Sequence, residues 1–261
     1  MNIQKYLKIW WMMSRNSFSM VLSQKITLFI FLVGKTLRFT FFFGFLYFLL
    51  IGVKNLAGYN LNQMIFFFLV FNVIDVISQF LFREVYRFRP MIINGDFDLV
   101  LVKPIKPLFR VLLGGADVID FLTIPPLVIA TIYFGSLLHP NFGQVVIFCL
   151  LLINAFMIAT AFHILLLSLA IITTEIDHSI MIYRDLTSLG RFPIDIYKEP
   201  LKGFLTYFIP IGIMVTFPVK AMIGLVGPAG IIVAFTVGVL AVFISLKFWN
   251  HALKKYSSAS S

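Results

Sequence analysis

The 261-residue chain is 60% hydrophobic and 12% charged, with 31 phenylalanines and a formal net charge of +10. Soluble domains are about half apolar and about a quarter charged, so this composition excludes a water-soluble domain and a disordered chain alike. The surplus apolar surface belongs in lipid, where positive charge reads as positive-inside topology and attraction to anionic headgroups rather than as a nucleic-acid interface. The single cysteine, Cys149, leaves no intrachain disulfide and no cysteine metal site.

The first element expected is an amphipathic helix over residues 1–25. At about 100° per residue, Ile3, Leu7, Trp10, Trp11, Phe18, Val21 and Leu22 share one face. Lys5, Lys8, Arg15, Asn16, Ser19 and Ser23 share another, while Gln4 and Ser14 fall on the wrong side. That pattern reads as a helix lying in the membrane interface with its tryptophans at headgroup depth, and not as a cleavable signal peptide.

A bilayer core of about 30 Å takes about 20 apolar residues of helix. Five stretches qualify: 36–53 with Arg38 near its start, 61–82 with Asp75 inside, 119–138 with Asp120 near its start, 143–172 without charge, and 229–246 without charge. Lys and Arg orient them. Lys5, Lys8, Arg15, Lys25, Lys35 and Arg38 precede or open the first span. Arg83, Arg87, Arg89, Lys103, Lys106 and Arg110 fill the connector after the second, and Lys247, Lys254 and Lys255 follow the last. The opposite loops hold only Lys54, and nothing charged in 139–143. Both ends and the 83–110 connector are therefore expected on the cytoplasmic side, and the number of spans is even. The polar tail, 256–261, is expected to be disordered.

Residues 173–228 fit two arrangements of the same parity. In one, 173–202 stays cytoplasmic and 203–226 crosses, at the cost of Pro210, Pro218 and Lys220 interrupting the helix. In the other, a weakly apolar helix over about 176–193 crosses and 195–227 dips into the outer leaflet and returns. This second arrangement puts Asp177, Arg184, Asp185 and Arg191 in or near the membrane, each at about 2.5–3.5 kcal/mol if unpaired at its centre. Asp177 and Arg184 share a helix face and could pair. The residues alone leave both open.

The connector is the most distinctive polar segment. Asn94-Gly95-Asp96 is a turn signal, and Pro104 and Pro107 stop a regular helix. Such a segment can dock on a soluble partner and move the two spans it joins, or it can simply hold topology; the residues alone favour the topology-holding loop.

The pattern resembles the membrane subunits (permeases) of bacterial ABC exporters of the ABC-2 type, the subgroup of about 260 residues. Two motifs carry the likeness: Gly95, Asp96 and Asp98 followed by Leu101-Val102-Lys103-Pro104, and Arg191-Phe192-Pro193 with Asp195, Ile196 and Tyr197, then Ile209-Pro210 and Phe217-Pro218. The likeness extends over essentially the whole chain. It implies an all-α polytopic membrane protein: six transmembrane helices, an interfacial N-terminal helix, a cytoplasmic coupling helix around residues 86–97, and a re-entrant outer gate over 194–227. It therefore favours the second arrangement of 173–228, although the fifth helix is unusually polar for the pattern. It further implies a plasma-membrane location, a second identical or related permease, and two separate ABC ATPase subunits carrying ATP and Mg. Arg87, Arg89, Asp96 and Asp98 are the docking candidates, and Pro193, Pro210 and Pro218 the residues shaping the gate.

Other chemistry is sparse. Gly34-Lys35-Thr36 resembles the end of a phosphate-binding loop, but Phe29 stands where the loop needs its first glycine, so ATP hydrolysis and a bound cofactor are not expected in this chain. His139, His163, His178 and His251 have no ligand spacing. Glu175, Asp177 and Asp185 make no convincing catalytic pair. Mid-span His163 reads first as a helix contact. Asp75 reads equally as a structural contact or a functional acid. A self-sufficient secondary transporter or channel would use Asp75, His163 and the Asp177/Arg184 pair; a lipid-acting enzyme lacks a nucleophile. The Phe-rich composition suits an amphipathic or lipid-like cargo.

Overall fold

The computed structural model describes residues 3–53, 55–173 and 176–257. Lys54, Glu175 and the tail residues 258–261 lie outside them.

Helix α1 (Ile3–Leu22) ends at a turn over Ser23 and Gln24, and α2 (Lys25–Val53) follows. Ser14 does not break the amphipathic pattern for want of a role. It is buried, and its Oγ accepts the Ala116 N–H at 3.2 Å. Tyr6, Trp10 and Phe18 of α1 pack on Phe109, Phe80 and Phe121, whereas Ile3, Leu7 and Trp11 stay exposed. The apolar face thus divides into a stripe that grips the protein and a stripe left exposed. Helix α2 begins well before the expected residue 36. Lys35 does not interrupt it, because its ammonium is bonded to the buried Asp120 of the third long helix.

Helix α3 (Leu61–Leu81) starts at a capping box in which Asn60 and Gln63 satisfy each other's backbone N–H at 3.0 Å. Most of α3 is buried, so it is the central post of the bundle. The connector is a run of short pieces rather than one coupling helix: a 3-10 turn Arg83–Arg87, α4 (Phe88–Ile93), α5 (Asp96–Leu101) and α6 (Pro107–Leu112). Gly95 sits at φ +77 between α4 and α5, a left-handed position that a side chain would strain. Pro107 opens α6, where its missing N–H costs nothing.

Helix α7 (Val118–Ser136) is N-capped by Asp117, whose Oδ1 accepts the Ile119 N–H at 2.8 Å. Helices α8 (Phe142–Thr173) and α12 (Pro228–Lys255) pack along each other, with Asn154 Nδ2 donating to the Ala234 carbonyl at 2.9 Å. Helices α2, α3, α7, α8 and α12 are long and apolar enough to cross a membrane.

Between α8 and α12 the chain is broken into short elements. Helix α9 (Asp177–Ser188) has 12 residues and continues as a 3-10 turn, Leu189–Arg191. Together they rise about 24 Å, shorter than the lipid core and shorter than the 176–193 helix expected. A turn at Ile194–Ile196 leads to two arms, Leu201–Phe208 and Gly212–Met222, bent by 77°. The first arm is α10 (Leu201–Gly203) running into a π turn; the second is a π turn running into α11 (Phe217–Met222). Pro210 stands at the bend and Pro218 in the first turn of α11, so neither costs a hydrogen bond inside a regular helix.

Candidate functional site

The connector packs its apolar side onto the ends of three helices. Val85, Phe88, Ile92, Phe97 and Val100 are buried in one cluster with Leu166, Leu167 and Ala170 of α8, Ile176 and Ile180 beside and within α9, and Trp249 and Ala252 of α12. Phe88 and Phe97 are both fully buried and meet edge to face at 5.1 Å. Ion pairs fasten the rim: Arg83 with Asp117 at 3.1 Å, Arg110 with Glu84 at 2.6 Å, and Lys35 with Asp120. A load applied to this segment therefore reaches α3, α7, α8, α9 and α12 through packed side chains.

Of the docking candidates, Arg87 and Asp96 are exposed. Arg89 is turned back onto Asp177 at 2.8 Å. Asp98 faces Tyr256, whose phenol is pushed up to about 12, by desolvation first and then by the Asp98 carboxylate. The sequence reading missed the apolar part of this surface. Leu99 is 59% and Val102 81% exposed, with Ile93 and Pro90 open beside them. The signal was available: a helical period of three to four joins Phe97, Val100 and Leu101 on one side and leaves Leu99 and Val102 on the other.

The intramembrane candidates fall into separate places. His163 is fully buried, its Nδ1 at 2.7 Å from the Ala159 carbonyl and its Nε2 at 3.5 Å from the Tyr86 hydroxyl, with Phe82 and Tyr183 against the ring. Asp75 is half-buried and borders a cavity of about 20 Å³ with Ser78, Tyr183, Thr187 and Ile211. The suggested Asp177/Arg184 pair does not form. Asp177 is held by Arg89, and Arg184 is exposed, because two turns of helix separate them by about 10 Å. Gly34-Lys35-Thr36 lies inside α2 and not in a loop.

The opposite end of the bundle is organised by one carboxylate. Asp195 Oδ2 accepts the Tyr59 hydroxyl at 2.8 Å and the Lys220 ammonium at 2.7 Å, while Oδ1 lies 3.0 Å from Lys202 Nζ. Desolvation raises the Asp195 pKa, but the bonds from Lys220, Lys202 and Tyr59 outweigh it and hold the carboxyl below the ordinary carboxylate range. The Tyr59 phenol is pushed up, by burial and then by the same carboxylate. Lys202 opens one arm and Lys220 closes the other, so both arms return to Asp195. Their junction reaches inward instead: a side chain on Gly190 would meet Ile211 at 2.8 Å. Pro193, Pro210 and Pro218 are all buried in this unit. Residues 177–195 run from Arg89 at the connector end to Tyr59 at the other.

The amino-acid sequence of this helical bundle matches one family model over residues 35–260, that of an ABC-2 family transporter protein. The chain belongs to the ABC-2 transporter family. No curated protein and no solved structure gives a match. As an ABC-2 protein the chain is a multi-pass membrane protein and a permease component of an ABC transporter. The family implies a membrane subunit that works with ABC ATPase subunits.

Proposed function

We propose that this permease is the passive half of an ATP-driven exporter in the plasma membrane, with both termini and the connector on the cytoplasmic side. The packed connector is the observation that carries the reading. Arg87, Pro90, Ile93, Asp96, Leu99 and Val102 form an exposed mixed surface on a segment whose other side is wedged among α8, α9 and α12. A partner gripping that surface moves all three helices together, which a topology-holding loop would not do. Two ATPase subunits, each bound to one permease, supply ATP and Mg, and their closure shifts the pathway between inward- and outward-open states by differential binding.

In this reading residues 177–191 make the fifth of six crossings. The two arms form a re-entrant hairpin, clasped at its outer ends by Asp195 and dipping at Ile209–Gly212. Irregular backbone at that depth is tolerated because it is buried in protein. A second permease faces the first across α2 and α9. The two enclose the pathway between them, and Arg38 and Arg184 are exposed on these helices, where lipid contact is unfavourable and a pathway lining is not.

The test is purification in mild detergent from the native host, with identification and assay of what co-purifies. An ATPase with a phosphate-binding loop is expected to come with the permease. Leu99→Asp and Arg87→Glu should lower permease-stimulated ATP hydrolysis at least about tenfold, a docking loss of about 1.4 kcal/mol or more, while membrane insertion stays intact. Flux by the purified chain alone, indifferent to ATP, would overturn the proposal.

A further inference from the structure

Arg184, Thr187 or Ser188, and Arg191 follow one another at three- and four-residue steps, so they share one face of α9 and the turn after it. Arg184 is exposed, Arg191 is half-buried, and Thr187 shares its small cavity with Asp75 of α3. On α2, Arg38 is exposed one turn before Phe42, and Phe42 meets Phe192 at 5.8 Å. That contact joins the turn of α2 that follows Arg38 to the residue next to Arg191.

Among the described residues no salt bridge joins Arg38, Arg184 or Arg191 to a carboxylate. Elsewhere in the bundle the chain does pair its cations, as at Lys35–Asp120 and Lys220–Asp195. Here two acids, Asp75 and the exposed Asp185, accompany three guanidiniums, and neither is bonded to them. Aromatic surface surrounds the charges. Arg38 lies 5.6 Å from the centre of the Phe39 ring, and Arg191 5.7 Å from that of Phe71. Arginine presents a fork suited to carboxylate and phosphate, and stacks on aromatic faces at the same time.

We propose that the Arg38–Arg184–Arg191 face of α2 and α9 is a cargo-binding site for the acidic head of an amphiphile, a carboxylate or phosphate carried on an apolar tail. The proposal rests on the permease reading and names its substrate class. The cationic excess takes the head, and the phenylalanines beside it take the tail. An acidic amphiphile reaching this face between the two permeases supplies the counter-charge that the protein alone does not.

The test is a titration of the permease in phosphatidylcholine nanodiscs with 11-(dansylamino)undecanoate, with empty discs subtracted. Saturable binding is expected, weakened at least about tenfold by Arg184→Gln with Arg191→Gln and restored in part by the two Lys variants. Arg38→Gln, on another helix and at an exposed position, should weaken binding independently, which guards against misfolding of the double variant. Dodecyl phosphate should displace the probe, while dodecyltrimethylammonium should not. Equal displacement by inorganic phosphate would refute a role for the tail. Binding that is unchanged in all the Gln variants, or equal displacement by the cationic amphiphile, would overturn the site. The titration needs neither ATP nor an ATPase. A permease that binds the probe yet recruits no ATPase would therefore fail the permease reading and leave the binding site standing, and the reverse result would do the opposite.

Discussion

The two ends of the bundle are held together by different physics. At the connector end the work is done by an apolar cluster, with Phe88 and Phe97 at its centre and ion pairs spread one-to-one around its rim. At the other end one carboxylate gathers three donors from three segments: Tyr59 from the α2–α3 loop and Lys202 and Lys220 from the two arms. A distributed rim loses stability in small steps when its members are removed. A convergent node loses it at once. The proposed coupling surface, which transmits load, suits the first design, and the proposed outer gate, which opens and shuts, suits the second.

The largest effect expected is at the apolar centre. Phe97→Ala should cost about 3–5 kcal/mol, read as a loss of thermal stability in detergent, because it empties a fully buried site. A change near zero would show that the connector is held by its charges instead. Asp195→Asn comes next, at about 2–3 kcal/mol. It removes the counter-charge of Lys220 and Lys202 together, and the discount for partial exposure is already taken. Lys202→Met, which leaves two of the three bonds, should cost clearly less. Equal losses in the two variants would break the contrast between node and rim.

The node also has a pH signature. The Asp195 carboxyl is held below its ordinary value when folded, so it binds a proton less readily in the native state than in the unfolded one. Its contribution is fully present above the unfolded carboxylate pKa of about 4 and is lost as pH falls through the lower folded value. The difference in stability between the parent and Asp195→Asn should therefore be flat from neutral pH down to about 5 and shrink below about 4. A difference that persists undiminished in strong acid would contradict the assignment of charge to this carboxyl.

The smallest effect belongs to the rim. Arg89→Ala breaks a pair whose partners are both substantially exposed, and it should change stability by less than about 1 kcal/mol, with the change vanishing in high salt. A larger loss would mean that Arg89–Asp177 ties α9 to the connector structurally.

The long helices were legible in the residues because lipid solvation adds up along consecutive apolar positions and needs no knowledge of neighbours. The capping at Asn60 and the turn at Gly95 were local in the same sense, although only the turn was singled out. Ser14 looked like an error in the α1 pattern until Ala116, 102 positions away, supplied its bond. The Tyr59–Asp195 contact spans 136 positions, so no local pattern could mark it. Asp177 and Arg184 share a helix face, yet two turns keep them about 10 Å apart, and Arg89 from another segment takes the Asp177 carboxylate.

By itself, then, the sequence determined which stretches are apolar enough to cross, which side of them is basic, and where the connector turns. These are properties of single residues or of neighbours within a helical turn. Tertiary structure alone decided which charges are paired, that both arms of the broken segment return to one carboxylate, and that Arg38, Arg184 and Arg191 have no carboxylate partner among the described residues. Those outcomes depend on distances of a few ångströms between residues far apart in the chain, and electrostatic and packing energies at that range are fixed only once the helices have met.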